Sequence, residues 1–221
     1  MIPITTDQLH LLAPNIRTTY ANAFATSDVE LAKFGINATP HRLRHFMAQM
    51  LQESGGLKVL WESMNYSAPR LPVVWPVRFQ PKGPLDPNAF AHNPEKLGNS
   101  VYGNRMGNTA TNGFFYRGRG LIQTTGHDGY VSANKALADN YPGSGAPDFT
   151  VDPDALLDAK WCLKVAAAEY AGYGCNAVAD TDTGDPTVTE AALRKITRLI
   201  NGGLTGLADR RDWLRKVSRV W

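Results

Sequence analysis

Apolar residues recur at helical spacing between His41 and Glu53: Leu43, Phe46, Met47, Met50 and Leu51 stand at offsets 0, 3, 4, 7 and 8 and define one inward face. Thr39 is the expected N-cap and Pro40 the first helical residue, while Gly55 can take the left-handed conformation that closes the other end. The same reading gives helix for residues 5 to 34, capped at Thr5 or Thr6, restarted after Pro14 and capped again at Ser27 before Gly35. Residues 57 to 113 lose periodicity; Ala68-Pro, Leu71-Pro, Trp75-Pro, Gln80-Pro and Asp86-Pro predict a long irregular excursion with short turns after Pro87 and from Glu95 to Val101. Aromatic, β-branched and glycine residues alternate from Phe114 to Gly126, which predicts a short extended piece with close backbone approach. Tyr130 to Tyr141 reads as helix. Asp152-Pro153 opens an alanine-rich stretch, apolar nearly all round, that predicts a buried central helix as far as Tyr170. A polar turn from 176 to 187 precedes a helix starting at Thr187 or Thr189, with Leu193, Ile196, Leu199 and Ile200 on one face, ending at Asn201-Gly-Gly203. A basic amphipathic helix, about Leu207 to Val220, closes the chain.

This order of elements predicts a mainly α-helical single domain over 1–221, a helical part over 1–38 and a core over 39–221, with a small extended or β element. The chain has 221 residues, 43% hydrophobic, and no repeat or linker. Its net charge of +3, with lysine and arginine dispersed among 20 acidic residues, excludes a nucleic-acid footprint. The first residues lack the basic and apolar regions of a signal peptide, and no segment predicts stable membrane insertion. Cys162 and Cys175 are the only cysteines; they read as buried free thiols, with a disulfide as the alternative, and make no metal motif.

The candidate chemistry begins at Gln52-Glu53-Ser54-Gly55-Gly56. Glu53 ends an apolar helix where carbonyls lack partners and the dipole is negative, which disfavours its ionised form and suits a proton donor. An ordinary solvated glutamate is the plainer reading of the pentapeptide alone. Glu62 lies nine positions on, across a glycine break that lets it face Glu53 instead of following it along one helix. Two such carboxyls can cut a glycosidic bond, one protonating the leaving oxygen and the other activating water.

Three segments in order carry a family resemblance. Gln52-Glu53-Ser54-Gly55-Gly56, Phe115-Tyr-Arg-Gly-Arg-Gly-Leu-Ile-Gln-Thr-Thr125 and Ile200-Asn-Gly-Gly203 resemble the acid motif, the Gly-Arg-Gly…Gln segment and the Asn-Gly-Gly turn of glycoside hydrolase family 19. Glu62-Ser-Met-Asn-Tyr-Ser67 and Val101-Tyr-Gly-Asn-Arg-Met-Gly-Asn108 look more like its phage endolysin branch than its plant chitinases. The resemblance spans about residues 40 to 215. It implies a lysozyme-like, two-lobed helical fold with a central cleft, Glu53 as general acid and Glu62 as general base. It implies that Thr125 holds the attacking water, that Gln123 and Asn201 bind sugar, and that Arg210 lies near the acid side. Tyr66 and Tyr116 are further substrate-binding candidates; Trp61, Trp75 and Tyr102 are candidate stacking faces. The implied reaction is inverting hydrolysis of β-1,4 bonds in peptidoglycan, without cofactor or metal, at a carboxyl separation of ~6.5–9.5 Å. A chitinase or a non-catalytic glycan-binding module is the alternative. The implied setting is a monomer held in the host cytoplasm until a holin-like pore gives access to the wall. The chain departs from the family pattern at Gln52, where chitinases have His, at Arg117, and at Gly129, where many members have Asn; Asp128 or His127 is the expected substitute for that amide.

Overall fold

The computed structural model describes all residues from Met1 to Trp221. Eleven α-helices run in the order α1 Thr6–Leu12, α2 Thr18–Phe24, α3 Ser27–Lys33, α4 Pro40–Glu53, α5 Leu71–Val74, α6 Pro94–Tyr102, α7 His127–Asn140, α8 Ala159–Gly172, α9 Cys175–Ala179, α10 Pro186–Asn201 and α11 Leu207–Val217. The expected stretch from 5 to 34 is three short helices, broken near Pro14 and again at Thr26. α4 follows its sequence signals: Thr39 Oγ1 accepts from Arg42 N, and Pro40 fills the first position.

The main core of 30 buried residues gathers around α4 and α8, with Phe46 meeting Tyr170 edge-on at 5.1 Å. α8 is buried on nearly every side, because alanines let α2, α3, α7 and α9 approach it closely. A second cluster, including Tyr130, Leu137, Phe149 and Trp161, fills the space between α7 and α8. A third, separate one, Met64, Leu71, Phe79, Leu97 and Val101, lies under the proline-rich excursion and makes it a small lobe with its own interior. The cleft opens between this lobe and the main body.

Three expectations are corrected. The helix from Asp152 to Tyr170 is a 3-10 turn, Pro153–Leu157, and then α8, because Asp158 turns extended and caps the second segment by accepting from Lys160 N at 2.7 Å. α10 starts at Pro186, not at Thr187 or Thr189, since Asp185 accepts from both Thr187 N and Val188 N. The segment from 114 to 126 contains no continuous strand: it is a series of turns tied by the isolated bridges Trp61 to Arg119 and Arg119 to Thr124. Gly120, Gln123 and Gly126 all have positive φ, which interrupts extended backbone before a ladder can form. Cys162 and Cys175 are buried and unpaired.

Candidate active site

Helix α4 delivers Glu53 at its last residue, and the chain then reverses. Gly55 and Gly56 have φ of 56° and 74°, and Gly56 N–H closes back onto Leu51 O at 2.7 Å. Buried Ser54 secures the reversal by donating to Met50 O at 2.6 Å and accepting from Leu57 N at 3.0 Å. The following strand-like residues return along the 118–120 segment, with Gly120 N donating to Leu60 O and Glu62 N donating to Gly118 O at 2.9 Å. Glu53 and Glu62 thereby become walls of one cleft of about 840 Å³, which also takes in Tyr66, Gln123, Thr125 and Asn201.

The two carboxyls have different neighbours. Arg210 of α11, only 3% exposed, donates to Glu53 Oε1 and to Gln49 Oε1, and its Nε reaches Thr205 O at 3.4 Å. The expected place of Arg210 near the acid side thus becomes a direct contact, and this buried guanidinium is a stronger neighbour of Glu53 than the helix-end carbonyls. Glu62 has no cation at hydrogen-bond distance. Tyr102 instead donates its hydroxyl across both carboxylate oxygens, at 3.0 and 2.9 Å. Burial pushes the Glu62 carboxyl above the ordinary carboxylate range, with Tyr102, Gly118 and Arg117 pulling the other way. The carboxyl whose proton affinity is raised is thus Glu62, by burial, and not through the helix-end effect expected at Glu53.

The floor is built by the 118–125 turns. Gln123, at φ 55°, donates its amide to Gly120 O at 2.9 Å, and Thr125 donates its hydroxyl to Gln123 O at 2.7 Å, which leaves the Thr125 oxygen as an acceptor. A Cβ at Gly118 would come within 2.9 Å of Gln123 Oε1 and 3.2 Å of Thr125 Oγ1, so glycine is what lets both side chains stand there. Arg119, 2% exposed, clamps the turns from beneath by donating to Phe115 O, Arg117 O, Tyr130 Oη and Asp154. Asn201 closes the far side at the end of α10, its amide donating to Thr205 O at 3.2 Å.

Of the aromatic candidates, two lie outside the cleft. Tyr116 is not a cleft residue: it packs into the second cluster against Tyr130 and His127 and donates its hydroxyl to Thr150 O at 2.8 Å. Trp75 lies under the small lobe, edge-on to Tyr66 at 5.1 Å, whereas Trp61 and Tyr66 do line the cleft. Tyr102 is a hydrogen-bond donor to Glu62 in place of a stacking face. Neither Asp128 nor His127 replaces the absent amide at Gly129, since Gly129 lines the cleft and they do not. Sequence reasoning missed Glu169, Arg17 and Lys58, which also line it; the one available signal was a glutamate after three alanines in the buried stretch of α8. No group of three or more His, Cys, Asp or Glu side chains converges as a metal-ligand set.

No family model matches the chain. A protein of Haemophilus influenzae described as a glycosyl hydrolase family 19 domain-containing protein is 33% identical over 169 residues, which cover 75% of this chain and 72% of that protein. The chain belongs to glycosyl hydrolase family 19. Its fold agrees with that membership. A bacterial family 19 chitinase superposes with a TM-score of 0.56 at 18% identity, over 98% of this chain and 94% of that one. Chitinase C from Streptomyces griseus superposes with a TM-score of 0.53 at 16% identity, over 98% and 76%. The protein is therefore a glycoside hydrolase on a lysozyme-like, mainly helical scaffold.

Proposed function

We propose that this family 19 hydrolase is an endolysin that cleaves β-1,4 glycosidic bonds of bacterial peptidoglycan with inversion. The observation that carries the reading is the confrontation of two carboxyls with unlike surroundings across one open cleft, Glu53 beside Arg210 and Glu62 beneath Tyr102. Glu62, whose raised proton affinity makes its carboxylate a better base than an ordinary one, takes a proton from water as that water attacks the sugar. Thr125 accepts from the same water. Glu53 gives its proton to the leaving oxygen; while it is protonated, Arg210 keeps Gln49 and Thr205 as acceptors, so the guanidinium is not stranded. Gln123 and Asn201 offer amide groups to sugar hydroxyls.

Peptidoglycan is favoured over chitin by charge. Arg17 and Lys58 line the cleft without an acidic partner, Arg17 donating to the Lys58 backbone carbonyl at 3.1 Å. Chitin carries no anion for them, whereas the stem peptides of peptidoglycan carry carboxylates. In this reading the protein acts as a monomer and reaches the wall through a separate holin-like pore; no helix is long and apolar enough to cross a membrane.

The ion pair at Glu53 favours one second reading, with roles exchanged: Glu53 as the ionised base and buried Glu62 as the acid. An aryl glycoside with a good leaving group separates the two, since its departure needs no proton. Glu53→Gln should retain turnover of that substrate while losing about 10²–10⁴-fold on the natural glycan; if Glu62→Gln shows that pattern instead, the roles are exchanged. For the substrate, purified sacculi and chitin are digested in parallel and the new reducing ends identified by mass spectrometry. Ends from sacculi, weakened at high salt, are expected; cleavage of chitin alone would remove the endolysin reading.

A further inference from the structure

A third carboxyl group in the cleft has no part in the reaction above. Glu169 comes from the last turn of α8, is 5% exposed, and lines the cleft beside Tyr173. Thr124 donates its hydroxyl to Glu169 Oε2 at 3.3 Å. The other oxygen, Oε1, has no protein partner and is not one of the sealed, unpaired polar atoms of the interior, so it opens on the cleft. Burial pushes this carboxyl up to about 8, and no charged side chain acts on it; only the Thr124 hydrogen bond opposes the shift. At neutral pH the group is a carboxylic acid with one O–H to give.

Its surroundings do not ask for a polar group. Apart from Lys160 and Lys164, which turn to the Trp161 ring and to Glu30, the rest of α8 is apolar or glycine, and an apolar side chain at 169 would fill the position without the desolvation cost of a carboxyl. Gly129 offers only backbone on the other side of Thr124, since a Cβ there would touch Thr124 Cγ2 at 3.4 Å. At this point of the wall Glu169 is the side chain held in place by a protein hydrogen bond, from Thr124. The buried tyrosines of the elements packed against α8 are engaged elsewhere, Tyr20 on Val59 O and Tyr130 on Arg117 O. The other titratable groups facing the cleft are Tyr173 at the C-cap of α8, Glu53, Glu62, Tyr66 and Tyr102 on the walls, and Arg17 and Lys58 at the rim.

We propose that Glu169 is a specificity-determining residue, whose carboxyl O–H, oriented by Thr124, donates a hydrogen bond from the cleft floor to the acetamido carbonyl oxygen of an N-acetylated sugar. The assignment rests on the reading of the cleft as a site for N-acetylated glycan strands. An amide carbonyl accepts and cannot donate, so ionising Glu169 removes the bond. A sugar hydroxyl could reverse its direction and keep one.

The test uses the peptide-free tetrasaccharide of peptidoglycan and calorimetric titration between pH 6 and 9.5, in a Glu53→Gln background that suppresses turnover. Binding should weaken about tenfold across that range as the acid ionises. Adding Glu169→Gln, whose amide donates at every pH, should flatten the profile while keeping the affinity seen at pH 6. Adding Glu169→Leu should give the weak value throughout, and circular dichroism checks that both variants are folded. Parallel pH profiles with and without Glu169→Gln would overturn the assignment and leave the glycan reading standing. No binding by any variant at any pH would overturn the glycan reading and this assignment with it.

Discussion

Tyr102 shows how one residue can set the working range of a carboxyl. Burial raises the proton affinity of Glu62, and the phenol that donates to both its oxygens limits that rise. With Glu62 as the base, activity requires its ionised form, so the acid limb of kcat/KM lies above the ordinary carboxylate range. Tyr102→Phe keeps the ring and removes the donor. The carboxyl should then hold its proton more tightly, and the acid limb should move up by about one pH unit or more, given roughly 1.5–3 kcal/mol for a hydrogen bond to a charged group. A pH–rate profile on a soluble glycan reads it; an unchanged limb would mean that Glu62 does not report the base. None of this was legible in the sequence, where Tyr102 is forty positions from Glu62 and reads equally well as a stacking face.

The elements that hold the site were legible to different degrees, for a physical reason. α4 announces itself through local signals, a periodic apolar face, a cap and a proline at its first position, and α11 through its amphipathic face, whereas α6 reads from sequence only as a short turn from Glu95 to Val101. The break in the Asp152–Tyr170 stretch was hidden because alanine suits a 3-10 turn and an α-helix alike, and only the capping geometry of Asp158 separates them. The 114–126 segment misled because its β-branched and aromatic residues serve tight turns, held by the buried Arg119. Those turns make a sharp prediction. Gly118 needs no positive φ, so Gly118→Ala leaves the backbone acceptable, yet its methyl would press on Gln123 and Thr125. Thermal stability should change little while kcat falls by about tenfold or more through misplaced floor groups. Equal loss of stability and activity would mean that the turns hold the fold and not the floor.

Over the whole molecule, buried acids give the stability a pH dependence of two signs. Asp182 is hydrogen-bonded by the buried His45, by Thr189 and by Gly184, which together outweigh its own burial and hold its carboxyl well below the ordinary range. Its stabilisation is complete above the unfolded value and is lost as the pH falls through the folded one. Glu169 does the opposite. With a folded value of about 8 against an ordinary 4.5, the native state holds a proton that the unfolded chain releases, so stability declines as the pH rises from about 4.5 to about 8. Glu169→Gln should therefore be the more stable protein by a few kcal/mol above pH 8, the gap closing towards pH 4. Denaturant titrations at pH 4.5, 6.5 and 8.5 check this, and a gap independent of pH would remove Glu169 as its source. The family and its order of motifs were readable because short local segments carry them, whereas Glu169, Arg17 and Lys58 join the cleft only through packing of distant helices. In the proposed reaction Glu53 and Glu62 cleave peptidoglycan with inversion. Proton NMR of the first reducing ends released from purified sacculi tests it most directly: α-anomers appearing before mutarotation are predicted, and β-anomers appearing first would contradict it.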